Sequence, residues 1–238
     1  MIAAQHALAF LLVVVYPIWD YFGTRELRAG TNPSAKLRYY KKTFALEWLA
    51  AAAALFIAGP RIFLLSIQLP YIGQLHSFIT RTLAAALVIV IVYVVLGPHL
   101  QALRNEKVRH SLLKQYNSLS FFIPKTQVEF RWFGAVAVTA GICEEILWRG
   151  FLSHYFGRDP WHLGILAAVI ISSVSFSSAH LYLGLKGLLG AFAGGILFSL
   201  LFILTGNLLV PIIVHAAADL LAIPILRRAP ADSSATSP

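Results

Sequence analysis

The chain has 238 residues, 58% of them hydrophobic and 12% charged, with a net charge of +9 and a mean hydropathy of +0.74. A water-soluble domain of this length carries about twice that charged fraction, so the surplus apolar side chains face lipid. The basic residues fall between apolar runs, which assigns them to membrane topology and excludes a nucleic-acid partner. The single cysteine, Cys143, excludes an internal disulfide framework and a cysteine-rich zinc site.

From Met1 to His6 the N-terminus runs straight into apolar sequence, without the basic leading region or small-residue cleavage site of a signal peptide, so the first apolar run reads as a retained span. Spans of about 20 mainly apolar residues are predicted at 4–22, 43–60, 78–99, 131–156, 162–180, 185–205 and 207–226. The expected fold is therefore all-α, a polytopic transmembrane helical bundle of about seven spans (six to eight). Gly206-Asn207, the only turn-like dipeptide between 185 and 226, separates the last two spans. Ile62 to Gly73 is apolar but short and contains Pro70, which suits a re-entrant or interfacial piece. The segment 101–123 alternates basic residues with Leu112, Leu113, Leu119, Phe121 and Phe122, the pattern of a cytoplasmic helix lying on headgroups. Gly190, Gly194 and Gly195 form a small-residue pattern that predicts a close helix contact. Arg228 to Pro238 is rich in Ala, Ser, Pro and Thr and is expected to be a disordered tail.

With seven spans, the segments 23–42 and 100–131 lie on one side together with Lys186, Arg227 and Arg228, while Arg61, Arg81 and Arg158 lie on the other. The positive-inside bias then predicts a multi-pass protein of the cell membrane with its N-terminus outside and its C-terminus in the cytoplasm.

Six ionisable residues fall inside the apolar runs. Glu144, Glu145 and Arg149 lie in the fourth span, His180 ends the fifth, and His215 and Asp219 lie in the seventh. A charge at the bilayer centre costs at least ~2.5–3.5 kcal/mol on insertion scales, so such residues usually have a partner and a function. Glu145 and Arg149 are four apart with the acid first, the favourable pairing order, which predicts a clamp. On a straight helix Glu144 points about 100° away and is left as the free acid. His180 alone suits an interfacial histidine, although Ser172, Ser173, Ser175, Ser177 and Ser178 before it suggest a polar or water-lined face. His215 and Asp219 share a face, where the aspartate could simply fix the imidazole tautomer. His6, His76, His99, His110, His154 and His162 are read as span-end or loop residues without a role.

Taken together, Glu144-Glu145-x-x-x-Arg149, Phe176-x-x-x-His180 and His215-x-x-x-Asp219 resemble the three-motif signature of the CAAX-protease and bacteriocin-processing family, which includes the type II CAAX prenyl endopeptidases. The resemblance covers about 130–226, and divides the chain into N-terminal helices with the amphipathic segment (1–125), a catalytic core (126–227) and a tail (228–238). It implies an intramembrane endopeptidase acting on a prenylated or otherwise membrane-associated peptide or protein, with lipid around it. Glu144 and His180 would hold and activate a water, and His215 and Asp219 would hydrogen-bond the oxyanion. Glu145 and Arg149 would support the site. No cofactor is implied. Many members have asparagine where this chain has Asp219, and an ionised aspartate would repel an oxyanion, so Asp219 must either be protonated or orient His215.

Three other readings compete. Zinc held by Glu144, His180 and His215 would make a metalloprotease, although no compact His-Glu-x-x-His helix is present. A cysteine protease would use Cys143, which faces away from Glu144. A non-enzymatic membrane protein, either a bacteriocin self-immunity protein or scaffold or a proton-coupled transporter, would also place Glu, His and Asp in spans. Against transport, the N-terminal half carries no matching repeat.

Overall fold

The computed structural model describes residues 2–64, 78–116, 119–158 and 160–229, and every named element among them is helical. The first helix, α1 (Ile2–Ala29), contains a π turn at Leu11–Val15. It stops at Gly30, whose φ of 64° is the left-handed conformation that ends a helix cheaply only at glycine. Next come α2 (Ala35–Ala58) and a 3-10 turn at Pro60–Phe63, then α3 (Phe78–Arg104) and the short α4 (Glu106–Tyr116). Helix α5 (Gln127–Glu144) continues through a π segment, Glu145–Leu152, into α6 (Ser153–Gly157). Helices α7 (Gly164–Ser178), α8 (Gly184–Thr205) and α9 (Leu209–Leu226) complete the fold.

Each predicted span coincides with a helix. Four helices, Ile2–Ala29, Arg81–Arg104, Leu181–Thr205 and Leu209–Leu226, are long and apolar enough to cross a membrane. The predicted spans 43–60, 131–156 and 162–180 correspond to α2, to the α5–α6 rod and to α7. The break at Gly206-Asn207 is found where the sequence puts it, with Gly206 capping α8 at a φ of 66°. The apolar and polar faces are arranged as lipid requires. Phe56, Leu166, Leu185 and Ile89 point outward, while Asp20, Glu47, Glu144, Glu145 and Arg149 are buried. This is a membrane protein turned apolar side out.

Two crossings position the interior. At Gly141, a Cβ atom would lie 2.5 Å from the backbone nitrogen of Ala216, so α5 and α9 touch through bare backbone. At Gly195, a Cβ would lie 2.9 Å from the Ser173 Cβ, which joins α7 to α8. Gly195 therefore carries the expected small-residue contact, while Gly190 and Gly194 have nothing within 4 Å. The start of α5 is fixed by a capping box, in which Thr126 and Glu129 satisfy each other's backbone N–H groups. The same Glu129 pairs with Lys36 of α2 at 3.7 Å.

Two expectations change. Helix α4 forms within 101–123, but Leu119 to Ile123 turn inward instead of continuing along a headgroup surface. Tyr40 Oη and Lys36 Nζ donate to the carbonyls of Phe122 and Ile123, and the Phe122 ring packs edge-on against Tyr39, Tyr40 and Phe133. Aromatic packing and two partly buried hydrogen bonds outweigh what those residues could gain at an interface. Of the polar or water-lined face expected of the α7 serines, the polar one is found, and it does not line the cavity. Ser172 and Ser178 donate to Val169 and Ser175 carbonyls, Ser177 donates to Leu188, and Ser175 accepts from the Trp148 indole, so most of them spend their polarity on helix packing. The piece proposed at 62–73 lies mostly outside the described residues, as does the tail from 230 onward.

Candidate active site

A cavity of about 260 Å³ opens between α1, α2, α5, α9 and the turn after α7. Glu144, His180, His215 and Asp219 all line it, although they come from three separate stretches of sequence. Glu145 and Arg149 stand behind Glu144, fully buried, with Arg149 Nη1 3.1 Å from Glu145 Oε1. The expected clamp is therefore present.

Helix geometry makes more of Glu145 than a clamp. Its Oε1 also lies 2.8 Å from His215 Nδ1, a hydrogen bond between fully buried and nearly buried side chains. The opposite ring nitrogen, His215 Nε2, faces Glu144 Oε2 at 3.8 Å and Asp219 Oδ2 at 3.7 Å. Two consecutive glutamates thus approach the two nitrogens of one ring. The change from α to π geometry falls between Glu144 and Glu145. Short π segments of this kind often occur at functional sites.

Aromatic rings fix the charged groups. The Arg149 guanidinium lies 4.2 Å from the centroid of Phe176 and 5.4 Å from that of Phe198, a favourable cation–π position in a dry interior. Phe198 stacks on His215 with centroids 4.6 Å apart. His180 sits just beyond α7, where its Nδ1–H donates to the Phe176 carbonyl at 2.8 Å. That bond selects the tautomer and leaves Nε2 as an acceptor.

Several lining residues were not singled out in the sequence. Asp20 and Tyr16 of α1, Tyr39 and Glu47 of α2, Tyr182, and the His99–Tyr116 pair all face the cavity. The His99 reading changes accordingly, because its Nε2 lies 3.1 Å from Tyr116 Oη inside the lining. On α4, burial, with the charge of Asp219 adding to it, pushes the Tyr116 phenol up to about 12, so it stays a donor at neutral pH. Glu47 was findable: it stands in an alanine-rich span, and the cost that marks out Glu144 applies to it equally. Cys143 is fully buried in an apolar cluster outside the cavity lining. Among the described residues, no three His, Cys, Asp or Glu side chains stand together as a metal-binding group.

Fold and site together define a polytopic membrane protein with a carboxylate–histidine cavity among its helices. Residues 126–221, less than half of the chain, match the family described as type II CAAX prenyl endopeptidase, Rce1-like. That stretch contains α5 to α8 and the part of α9 bearing His215 and Asp219, so the three-motif resemblance holds over the whole segment. No curated protein and no solved structure matches the chain.

Proposed function

We propose that this protein is an intramembrane endopeptidase that hydrolyses a peptide bond of a membrane-associated substrate with a water activated by Glu144 and His180. The observation that carries the reading is the convergence of Glu144, His180, His215 and Asp219 on one cavity within the family-matched segment. The separations of 3.7 and 3.8 Å around His215 Nε2 are too long for direct hydrogen bonds, and the cavity that these groups line has room for water.

In this mechanism the Glu144 carboxylate takes a proton from the water while His180 Nε2 accepts the second O–H and aligns it. The hydroxide oxygen bonds to the carbonyl carbon. In its doubly protonated form, His215 gives one N–H to Glu145 and the other to the resulting oxyanion. Arg149 balances the charge of Glu145, which holds the ring in place. Collapse breaks the C–N bond, and Glu144 returns its proton to the leaving amine. Asp219, close to the same Nε2, adds a second donor when protonated. Cleavage behind a prenylated cysteine is the substrate class that the family name suggests. The positive-inside bias of the basic segments around α1–α2 and α4 supports an orientation with that end of the cavity toward the cytoplasm.

The test compares purified wild type with Glu144→Ala and His180→Ala on a library of prenylated and unprenylated peptides. Cleavage by wild type, abolished in both variants while folding is retained, supports the proposal. If wild type cleaves no peptide, a binding or transport role becomes the better reading. Loss of cleavage with a chelator and its recovery with zinc would replace the water–glutamate mechanism with a metal-dependent one.

A further inference from the structure

The cavity has a second wall that the family-matched segment does not supply. Tyr16 and Asp20 lie one turn apart on α1, and Tyr39 and Glu47 lie two turns apart on α2. The two helices exchange donors across this wall. Tyr16 Oη donates to Glu47 Oε1 at 3.2 Å, and Tyr39 Oη donates to Asp20 Oδ1. Each carboxylate is thus fixed by a phenol on one oxygen. The remaining oxygens, Asp20 Oδ2 and Glu47 Oε2, are buried without a hydrogen-bond partner, in residues that are each 2% exposed and line the cavity. Buried polar atoms rarely go unpaired, so two such oxygens, on residues that line one cavity, call for donors from outside the fold.

Charge gives the kind of donor. Asp20, Glu47, Glu144 and Asp219 line the cavity, and among the described residues no lysine or arginine does. Arg149 lies behind the wall and is engaged by Glu145, Lys36 pairs with Glu129 and donates to the Ile123 carbonyl, and Arg28 donates to the Tyr182 carbonyl. We propose that Asp20 and Glu47 form an anionic subsite for a cationic group of the substrate, an ammonium or guanidinium, beside the Glu144 site. An ammonium brings three N–H donors and a guanidinium five, enough to satisfy both empty oxygens at once. An apolar side chain in the same place leaves both acids unpaired, which is the situation in which a polar site discriminates most strongly. The N-terminal helices are therefore the specificity element of the chain. The word substrate rests on the peptidase reading, but the subsite itself does not.

The experiment uses the full chain in detergent and a peptide set carrying lysine, arginine, norleucine or glutamate at each position in turn, with and without an acetylated amino terminus. Lysine or arginine at one position raises kcat/KM at least about tenfold over norleucine in wild type. Asp20→Asn and Glu47→Gln, which keep an acceptor for Tyr39 and Tyr16, bring that ratio to within about twofold of one, chiefly through KM. If lysine and norleucine peptides are cleaved alike but acetylation lowers kcat/KM about tenfold in both, the cation is the free amino terminus and the subsite stands. Equal cleavage of lysine and norleucine peptides by wild type, unchanged by acetylation, overturns the subsite and leaves the peptidase intact, even if both variants fail to fold. Binding of the same pairs to Glu144→Gln protein separates the two ideas. If wild type cleaves nothing but lysine peptides bind about tenfold tighter than their norleucine twins, the peptidase falls and the subsite holds; equal binding overturns the subsite.

Discussion

Replacing Gly141 with alanine tests whether the crossing of α5 and α9 builds the site. The new Cβ would stand 2.5 Å from the Ala216 nitrogen and 2.6 Å from its Cα and Cβ, whereas ordinary contact begins at 3.4 Å. The obstructing atoms are mostly backbone, so no rotamer change relieves them. The helices must separate by about 0.9 Å at this level. Gly141 is one turn before Glu145, and Ala216 adjoins His215, so the shift reaches the bond between those two side chains. Stretched from 2.8 Å by that amount, it passes the useful N–H···O limit of about 3.2 Å. Overpacking costs about 1–3 kcal/mol, and loss of a charge-assisted hydrogen bond costs about 1.5–3 kcal/mol. The better helix propensity of alanine returns up to about 1 kcal/mol. A net destabilisation of about 1.5–6 kcal/mol is expected, read as a lower midpoint of thermal unfolding in detergent. A catalytic group misplaced by about 1 Å lowers the rate about hundredfold, so kcat should fall by that order in whatever protein remains folded. Gly190→Ala is the control, because its Cβ meets nothing within 4 Å. If Gly141→Ala unfolds and turns over like wild type, the crossing does not set the geometry of the site.

The two adjacent glutamates should separate under amide substitution. Glu145→Gln leaves Arg149 buried without its countercharge and should destabilise the protein by about 3–5 kcal/mol. Glu144→Gln should keep near wild-type stability while cleavage falls about 10²–10⁴-fold; thermal unfolding and peptide turnover on the same preparations measure both. At the third motif, Asp219→Asn keeps a donor and should cleave within about tenfold of wild type, whereas Asp219→Ala should lose about hundredfold. Equal loss in the two variants would mean that the negative charge of Asp219, not its hydrogen bond, matters.

The all-helical fold and the membrane environment could be read from composition and apolar run length, because burial in lipid leaves a long, continuous signal. The Glu145–Arg149 pair was equally legible, since it lies within one helix and its spacing is local. What the sequence hid was tertiary. Nothing in the spacing of 145 and 215 says that Glu145 turns His215, because that contact depends on the backbone approach at Gly141 and Ala216. The acids on α1 and α2 were overlooked for a different reason. Asp20 falls at the end of an apolar run, where it passes for an interfacial residue, and Glu47 stands alone, without a partner at helical spacing to draw attention to it. His99 was misread because its partner, Tyr116, is on another helix.

The π segment connects these observations. Glu144 and Glu145 keep ordinary helical dihedrals, so their side chains stand about 100° apart and come to the two nitrogens of the His215 ring from different directions. The hydrogen-bond register changes in the turn that follows, where Arg149 still reaches the same Glu145 oxygen that holds the ring. A π turn gives up α-helical hydrogen-bond geometry, and it persists where side-chain contacts outweigh that loss. Here those contacts are an ion pair, a charged hydrogen bond and two ring–guanidinium contacts, all in a dry interior. Glu145 and Arg149 therefore hold the register of the segment as well as balancing each other's charge. Glu144, last residue of the regular helix, faces the cavity because its neighbour does not.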